Sequence, residues 1–198
     1  MNETLEKPKS KKQIILEKAA VLIRDRGFVA TTMRDIASVV GMEAASLYNH
    51  IQSKQEILHD ICFTIADMYT EKMAELFHKN DSPIEKIKKL LLLHIQTNVM
   101  TIPLARVTND EWIHLKEADK DRYNSMRLKY EDNFMELIRQ GIERGEIKDV
   151  DPQITYYTLL SAIRWTQHWK NTDRQLDVNT IKKTVTKMVF DSIIPNEG

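Results

Sequence analysis

Residues 31–54, TTMRDIASVVGMEAASLYNHIQSK, contain two short helical patterns separated by a turn. Thr32 and Asp35 resemble a capping box with a shortened acid, and they open a helix that ends at Gly41. A second short helix is predicted over about residues 44–49. Two short helices joined by a turn that contains glycine are typical of a helix-turn-helix, whose second helix crosses the first at a steep angle.

The side chains of this stretch divide into an apolar set and an outward set. The apolar set can form a small core and consists of Ile36, Ala37, Val40, Leu47 and Ile51. The outward positions of the second helix carry short or hydrogen-bonding residues, which are Ala44, Ala45, Ser46, Tyr48, Asn49 and His50. Such residues fit a groove and can meet phosphates or base edges, so the pattern favours a DNA-reading helix.

The rest of the chain also has helical periodicity. Gly and Pro number only five each among 198 residues and stand where helices begin or end. We predict an all-α chain of nine helices: about residues 10–26, 32–40, 44–49, 53–79, 82–97, one carrying Arg106, Glu111 and Trp112, then 119–144, 152–170 and 179–194.

Segments 32–37, 40–42, 46–51 and 53–58, together with Gly27-Phe28, resemble the DNA-binding domain of the tetracycline-repressor (TetR) family. The resemblance implies a TetR-like fold. A three-helix DNA-binding domain would occupy residues 1–54, with a basic arm over residues 1–12. A roughly six-helix ligand-binding and dimerisation bundle would occupy residues 55–198. A homodimer would place two recognition helices on a near-palindromic operator in double-stranded DNA.

The resemblance also implies DNA contacts for eight residues and leaves Arg34 open. Thr32 would present a helix N-terminus to a phosphate, and Tyr48, His50 and Lys54 would contact backbone phosphates. Ala44, Ala45, Ser46 and Asn49 would lie at or near base edges. Arg34 either contacts DNA or pairs with an acid. The alternatives are that Tyr48 packs in the core, His50 caps its helix and Lys54 is an ordinary solvated lysine.

The three tryptophans, Trp112, Trp165 and Trp169, all lie in the C-terminal part of the chain. On a continuous helix Trp165 and Trp169 share one face, and Arg164 and His168 share the adjacent face. Such a mixed aromatic and cationic wall can bind an apolar body that carries an anionic head.

This half of the chain, including Arg106 and Trp112, is similar to TetR-type regulators of lipid, sterol or aromatic catabolism, which implies an acyl-CoA effector. In one alternative the tryptophans fill the core or a dimer interface and Arg164 pairs with an acid. In another the pocket holds a hydrophobic or cationic drug beside Asp110 or Glu111, as in a regulator of drug efflux. A stripe on the last helix suits either a dimer interface or the core, and consists of Ile181, Val185, Met188, Val189 and Ile193.

The overall charge is zero because the net charges of two unequal parts of the chain cancel. Residues 1–54 hold nine Lys or Arg against six Asp or Glu, a net charge of +3, and the remainder carries −3. A basic head on an acidic body suits binding to the phosphate backbone.

Several classes of function are disfavoured by the sequence. The single cysteine, Cys62, excludes an internal disulfide and a cysteine-cluster metal site, and it reads as a buried small hydrophobe. The histidines have no metal-ligand spacing, and no catalytic or cofactor motif is present, so we expect no metal, no cofactor and no enzyme. The charged N-terminus and the absence of a long apolar run indicate a cytoplasmic protein without a membrane span. The sequence therefore favours a ligand-responsive repressor over a helical interaction protein that does not bind DNA.

Overall fold

The computed structural model describes residues 9–171 and 177–195. The first eight residues of the predicted basic arm, Lys7 among them, lie outside the described residues. The described ranges form nine α-helices and no β-strand, which confirms the all-α prediction. Their bounds are α1 Lys11–Arg26, α2 Met33–Val40, α3 Ala44–Tyr48, α4 Lys54–Phe77, α5 Pro83–Met100, α6 Ile102–Asp110, α7 Glu117–Glu143, α8 Pro152–Arg164 and α9 Val178–Ile193. Two 3₁₀ segments, Trp112–His114 and Trp165–Asn171, follow α6 and α8.

The eighth helix ends earlier than the sequence predicts. It stops at Arg164 because other groups take the carbonyl of Ile163. The Asn98 amide donates to that oxygen at 3.3 Å, and the Thr166 hydroxyl donates to it at 2.6 Å. In a continuing α-helix the same carbonyl would accept the N–H of the residue four positions later. The chain therefore tightens into a 3₁₀ segment, and the prediction of one helix over residues 152–170 is wrong.

Two buried clusters hold the molecule together. The head cluster joins α1, α2, α3 and the first half of α4, and it also takes in Val107, Leu115 and Tyr123 from the other half of the chain. The body cluster joins the end of α4 to α5, α7, α8 and α9. Burial of these apolar faces is the main stabilising contribution, and helix propensity is secondary. Helix α6 lies between the clusters and packs against both α1 and α4.

The last helix contributes mostly to the body core. Ile181, Val185, Val189 and Ile193 are buried inside the body cluster, whereas the Met188 side chain is 69% exposed. Four of the five residues in the predicted stripe are therefore core residues, and they are not available to a dimer interface.

No single helix among the described residues is long and apolar enough to cross a membrane. Helices α5 and α6 reach that length and composition only when taken together, and they meet at a bend of 107°.

Candidate DNA-binding surface and ligand cavity

Local side-chain caps fix the start of α2. The Thr32 hydroxyl accepts from the Asp35 amide at 3.2 Å, and the Asp35 carboxylate accepts from the Thr32 amide at 2.9 Å. The same carboxylate accepts from the Thr32 hydroxyl at 2.6 Å, and these bonds to Thr32 lower the pKa of Asp35. The predicted capping box is therefore present, and α2 begins at Met33.

The turn between α2 and α3 depends on Gly41. This residue has a φ of 78° and a ψ of 39°, in the left-handed region that favours glycine. The Gly41 and Met42 amides both donate to the Ala37 carbonyl at 3.0 Å, and this closes the end of α2. The chain then reverses into α3, which is only five residues long.

Most of the side chains with predicted DNA contacts face solvent. The exposed set consists of Thr32, Arg34, Ala45, Ser46, Tyr48, Asn49 and His50. The Tyr48 side chain is 46% exposed, so the alternative in which its ring packs in the core is wrong. Asn49 and His50 follow the last residue of α3 and lie in the turn. Ala44 is half-buried and packs against the head cluster.

Lys54 is engaged within the head. Its ammonium group donates to the carbonyls of Phe28 at 2.6 Å, Thr31 at 2.7 Å and Val29 at 3.3 Å. The same ammonium lies 4.4 Å from the centre of the Phe28 ring. These contacts tie the first residue of α4 to the loop between α1 and α2. Lys54 is therefore neither an ordinary solvated lysine nor, in this state, free to meet a phosphate.

A cavity of about 300 Å³, partly open to solvent, lies in the body between α4, α5, α6, α7 and α8. This volume is at the lower end of the range for ligand pockets, ~300–1,000 Å³. Five tyrosines line the cavity, Tyr69, Tyr123, Tyr130, Tyr156 and Tyr157. A second hollow of about 660 Å³ lies between α5 and α9, but it is a wide surface groove edged by lysines. The body cavity is the better candidate for a small-molecule site, because five helices surround it and it can remove part of a ligand from water.

The wall formed by α4, α5 and α7 contains an uncharged polar cluster. The His94 ring stacks on the Tyr69 ring with centroids 4.0 Å apart, and His94 Nε2 lies 2.9 Å from the Tyr130 hydroxyl. Burial lowers the pKa of His94 to about 4, and it raises the pKa of Tyr69 to about 12 and that of Tyr130 well above its ordinary value. At neutral pH these three side chains therefore offer hydrogen bonds without charge.

Three charged side chains line the same cavity, at α7 and α8. Arg164 forms an ion pair with Asp110 at 3.0 Å, and Glu131 accepts from the Tyr157 hydroxyl at 2.6 Å. The Arg127 guanidinium lies 4.7 Å from the centre of the Trp112 ring. The cavity thus combines aromatic faces, neutral polar groups and two cations.

Comparison with known proteins places these features in a family. The description "Bacterial regulatory proteins, tetR family" matches residues 15–61, and "Tetracyclin repressor-like, C-terminal domain" matches residues 80–193, more than half of the chain. The chain belongs to the TetR family. It is thus a transcriptional regulator of the helix-turn-helix class, which confirms the resemblance and the fold class stated above.

Several relatives of this TetR-family chain are similar over nearly its whole length. The transcriptional repressor KstR2 of Mycolicibacterium smegmatis is 22% identical over 99% of this chain and 97% of its own. The structure of the ketosteroid transcriptional regulator KstR2 of Mycobacterium tuberculosis has a TM-score of 0.86 at 21% identity, covering 96% of this chain and 98% of that one. AibR, solved with isovaleryl coenzyme A and operator DNA, has a TM-score of 0.77 at 27% identity, covering 91% and 98%.

The cavity of this TetR-family regulator contains only one of the six predicted ligand residues, Arg164. The alternative that Arg164 pairs with an acid also holds, since Asp110 is its partner. Arg106, Trp112, Trp165, His168 and Trp169 do not line the cavity. Asp110 and Glu111, proposed for a cationic drug, do not line it either.

The 3₁₀ geometry explains why Trp165 and Trp169 do not form a common wall of the cavity. At three residues per turn of the 3₁₀ segment, positions four apart differ by about 120°, whereas on an α-helix they differ by about 40°. Trp165 and Trp169 therefore do not share a face. Trp165 is 43% exposed, and Trp169 packs against the body cluster. His168 is exposed and contacts Gln167.

Arg106 and Trp112 serve the contact between head and body. The Asp25 carboxyl of α1 has its pKa lowered chiefly by Arg24 and in part by the charge of Arg106, which places Arg106 where α6 meets α1. Trp112 packs against the head cluster with its ring 5.7 Å from that of Tyr123.

The cavity residues on α7 follow a pattern that is visible in the sequence, although the sequence-based prediction names the tryptophans instead. Tyr123, Met126, Arg127, Tyr130 and Glu131 are spaced i, i+3, i+4, i+7 and i+8, the pattern of one helix face. Because α7 is rich in charge, this stripe reads as an ordinary amphipathic face. Only the packing of four other helices around it shows that the stripe lines a cavity.

The structure also bears on metal and nucleophile chemistry. Among the described residues no group of three or more His, Cys, Asp or Glu side chains is placed to hold a metal ion. Burial raises the pKa of the Cys62 thiol to about 12, so it stays protonated at neutral pH. Cys62 is a buried core residue, as the sequence predicts.

Proposed function

We propose that this TetR-family regulator is a homodimeric repressor that leaves its operator when an acyl-CoA thioester enters the body cavity. Residues 1–54 would bind the near-palindromic DNA, and residues 55–198 would bind the effector and the second copy. The observation that carries this proposal is the position of α6. Its Ala105, Thr108 and Asn109 line the cavity, while the same helix packs against α1 of the head.

The size of the cavity suits one part of such an effector. A volume of about 300 Å³ corresponds to about ten water molecules at ~30 Å³ each. A short acyl chain or a compact ring system fits this space, whereas the nucleotide of coenzyme A does not. The acyl end would lie among the tyrosines, and the pantetheine and nucleotide would extend outward. The similar regulator AibR, solved in complex with isovaleryl coenzyme A and operator DNA, supports this choice of probe.

The proposed dimer keeps only Met188 of the predicted stripe on α9 and adds exposed residues of α8. Ile154 and Tyr157 on α8 and Met188 on α9 are exposed apolar or aromatic side chains, with 69%, 49% and 69% of their surface accessible. An interface between copies would cover them. A regulator that binds chromosomal DNA would work in the cytoplasm.

Operator release tests the proposal directly. Fluorescence anisotropy of labelled DNA from the region upstream of the protein's own gene should show binding that weakens as salt rises. Isovaleryl coenzyme A and longer acyl-CoAs should release the DNA, and free coenzyme A should not. If none of these thioesters changes the affinity, the effector class is wrong. If no upstream DNA binds at low salt, the proposal of an operator in that region is wrong as well.

A second effector class has one observation in its favour. Glu131 and the tyrosines could enclose a hydrophobic cation, as in a regulator of drug efflux. Release of the same DNA by a quaternary ammonium compound, but not by acyl-CoAs, would select this alternative. The two cations that also line the cavity, Arg127 and Arg164, favour the anionic effector.

A further inference from the structure

Arg127 stands apart from the other charged residues of the cavity. Arg164 is occupied by Asp110 at 3.0 Å, and Glu131 by the Tyr157 hydroxyl at 2.6 Å. Arg127 is exposed, and among the described residues no carboxylate lies within the 4.0 Å of an ion pair with it. Its guanidinium rests on the Trp112 ring at 4.7 Å. Arg127 is therefore the one cation of the cavity that forms no ion pair within the described part of the chain; the nearest acid in sequence on its helix face, Glu131, accepts from Tyr157 instead.

The ring beneath Arg127 belongs to the segment that contacts the head. Trp112 opens the 3₁₀ turn Trp112–His114, whose His114 ring stacks on Phe28 with centroids 5.8 Å apart. The Gln55 amide, in the first turn of α4, donates to the His114 carbonyl at 3.0 Å. One route from the cavity to the DNA head therefore runs from Arg127 to Trp112, and then from His114 to Phe28 and Gln55.

We propose that Arg127 recognises an anionic group of the effector, and that this group draws the guanidinium away from Trp112 and loosens the turn that holds the head. This rests on the proposed function in assuming that the cavity binds an effector, but not on the effector's being a thioester. A charge-assisted hydrogen bond to a carboxylate, sulfonate or phosphate is stronger than a cation–π contact at an exposed site, so the exchange favours the anion. Arginine suits such oxyanions because its planar fork donates two parallel hydrogen bonds.

A matched residue five positions earlier on α7 supplies the control. The Arg122 guanidinium also lies 4.7 Å from an aromatic ring, that of Phe63, and it is also exposed. Arg122 does not line the cavity. Arg122→Gln and Arg127→Gln therefore remove the same charge and the same kind of ring contact, but only the second changes the cavity.

The anion-recognition part is tested by a pair of fluorescent probes with full-length protein. The probes are 8-anilino-1-naphthalenesulfonate and the neutral N-phenyl-1-naphthylamine, which share their rings and differ in the sulfonate. We expect Arg127→Gln to weaken binding of the sulfonate about tenfold, or about 1.4 kcal/mol, and to leave the neutral probe within twofold. Arg122→Gln should change neither, and Arg127→Lys should restore part of the affinity. Ser161→Trp, which fills the cavity from an exposed lining position, should weaken both probes.

Three results of the probe titrations would overturn this part. The first is equal affinity for the sulfonate in Arg127→Gln and the wild type. The second is an equal loss of affinity for both probes in Arg127→Gln. The third is sulfonate binding to the wild type that Ser161→Trp does not weaken. Because these titrations need no DNA and no thioester, failure of the acyl-CoA proposal does not affect them.

The coupling part is tested on operator DNA without any effector. Since Arg127→Gln also removes the contact with Trp112, we expect it to lower operator affinity two- to fivefold relative to Arg122→Gln, and Trp112→Leu to do the same. The double variant should be no weaker than either single variant, because both act on one contact. Operator affinity of Arg127→Gln equal to that of Arg122→Gln would overturn the coupling, while the probe titrations would still decide the anion site.

Discussion

Replacement of Lys54 by methionine separates two roles for this residue, a clamp within the head and a contact to DNA. Methionine keeps the apolar stem and removes the ammonium that donates to the carbonyls of Phe28 and Thr31 at 2.6 and 2.7 Å. Hydrogen bonds that involve a charged group contribute ~1.5–3 kcal/mol each. Lys54 is half-buried, so water replaces part of this, and we expect a total loss of about 2–3 kcal/mol.

The assay is thermal and urea unfolding of the free protein at one fixed concentration, because dimerisation makes the melting temperature depend on concentration. For a chain of this length each kcal/mol lowers Tm by ~2–4 °C, so Lys54→Met should melt about 4–12 °C below the wild type. Lys129→Met, at an exposed lysine on α7, is the matched control and should unfold within about 0.5 kcal/mol of the wild type.

Operator binding then distinguishes the two roles. A clamp predicts weaker binding with an unchanged slope of log affinity against log salt concentration, because the number of neutralised phosphates stays the same. A direct phosphate contact predicts normal stability and a slope smaller by about 1. If Lys54→Met is as stable as Lys129→Met, the clamp is refuted and the predicted phosphate contact is restored.

Three further changes probe the cavity wall, the head and the body core. Between about pH 6.5 and 4, His94 binds a proton in the unfolded chain but not in the folded chain. The free energy of unfolding should therefore fall as the pH falls, by no more than ~1.4 kcal/mol per pH unit. Above pH 6.5 His94 is neutral in both states. In urea titrations at several pH values His94→Gln should flatten this slope, and the same change at the exposed His78 should not. Thr32→Ala should cost about 1 kcal/mol in urea and weaken operator binding, while Thr32→Ser keeps the cap and should match the wild type. A Cβ at Gly141 would lie 2.6 Å from Ile147 Cδ1, so Gly141→Ala should be destabilising by ~1–3 kcal/mol although alanine has the better helix propensity. Adding Ile147→Val to this variant should recover part of the lost stability. Equal stability of Gly141→Ala and the wild type would contradict the close approach.

The helix-turn-helix was predictable because its determinants are local. The Thr32–Asp35 capping box, the left-handed Gly41 and the apolar spacing all act within about ten residues, so their effect can be predicted from the local sequence. The exposed surface of α3 follows from the same periodicity. The contacts of the Lys54 ammonium could not be predicted in this way, because its carbonyl partners lie 23 to 26 residues earlier in the chain.

The sequence by itself therefore determined the all-α architecture, the order of the helices and the head that reads DNA. The tertiary structure alone decided which residues form the cavity, since five helices contribute to it and no single segment carries its pattern. Asn98 on α5 illustrates the reason. It bonds a carbonyl 65 residues away, ends α8 there, and so turns the tryptophans that follow away from a common face. Local propensity cannot anticipate a hydrogen bond that exists only after the helices have packed.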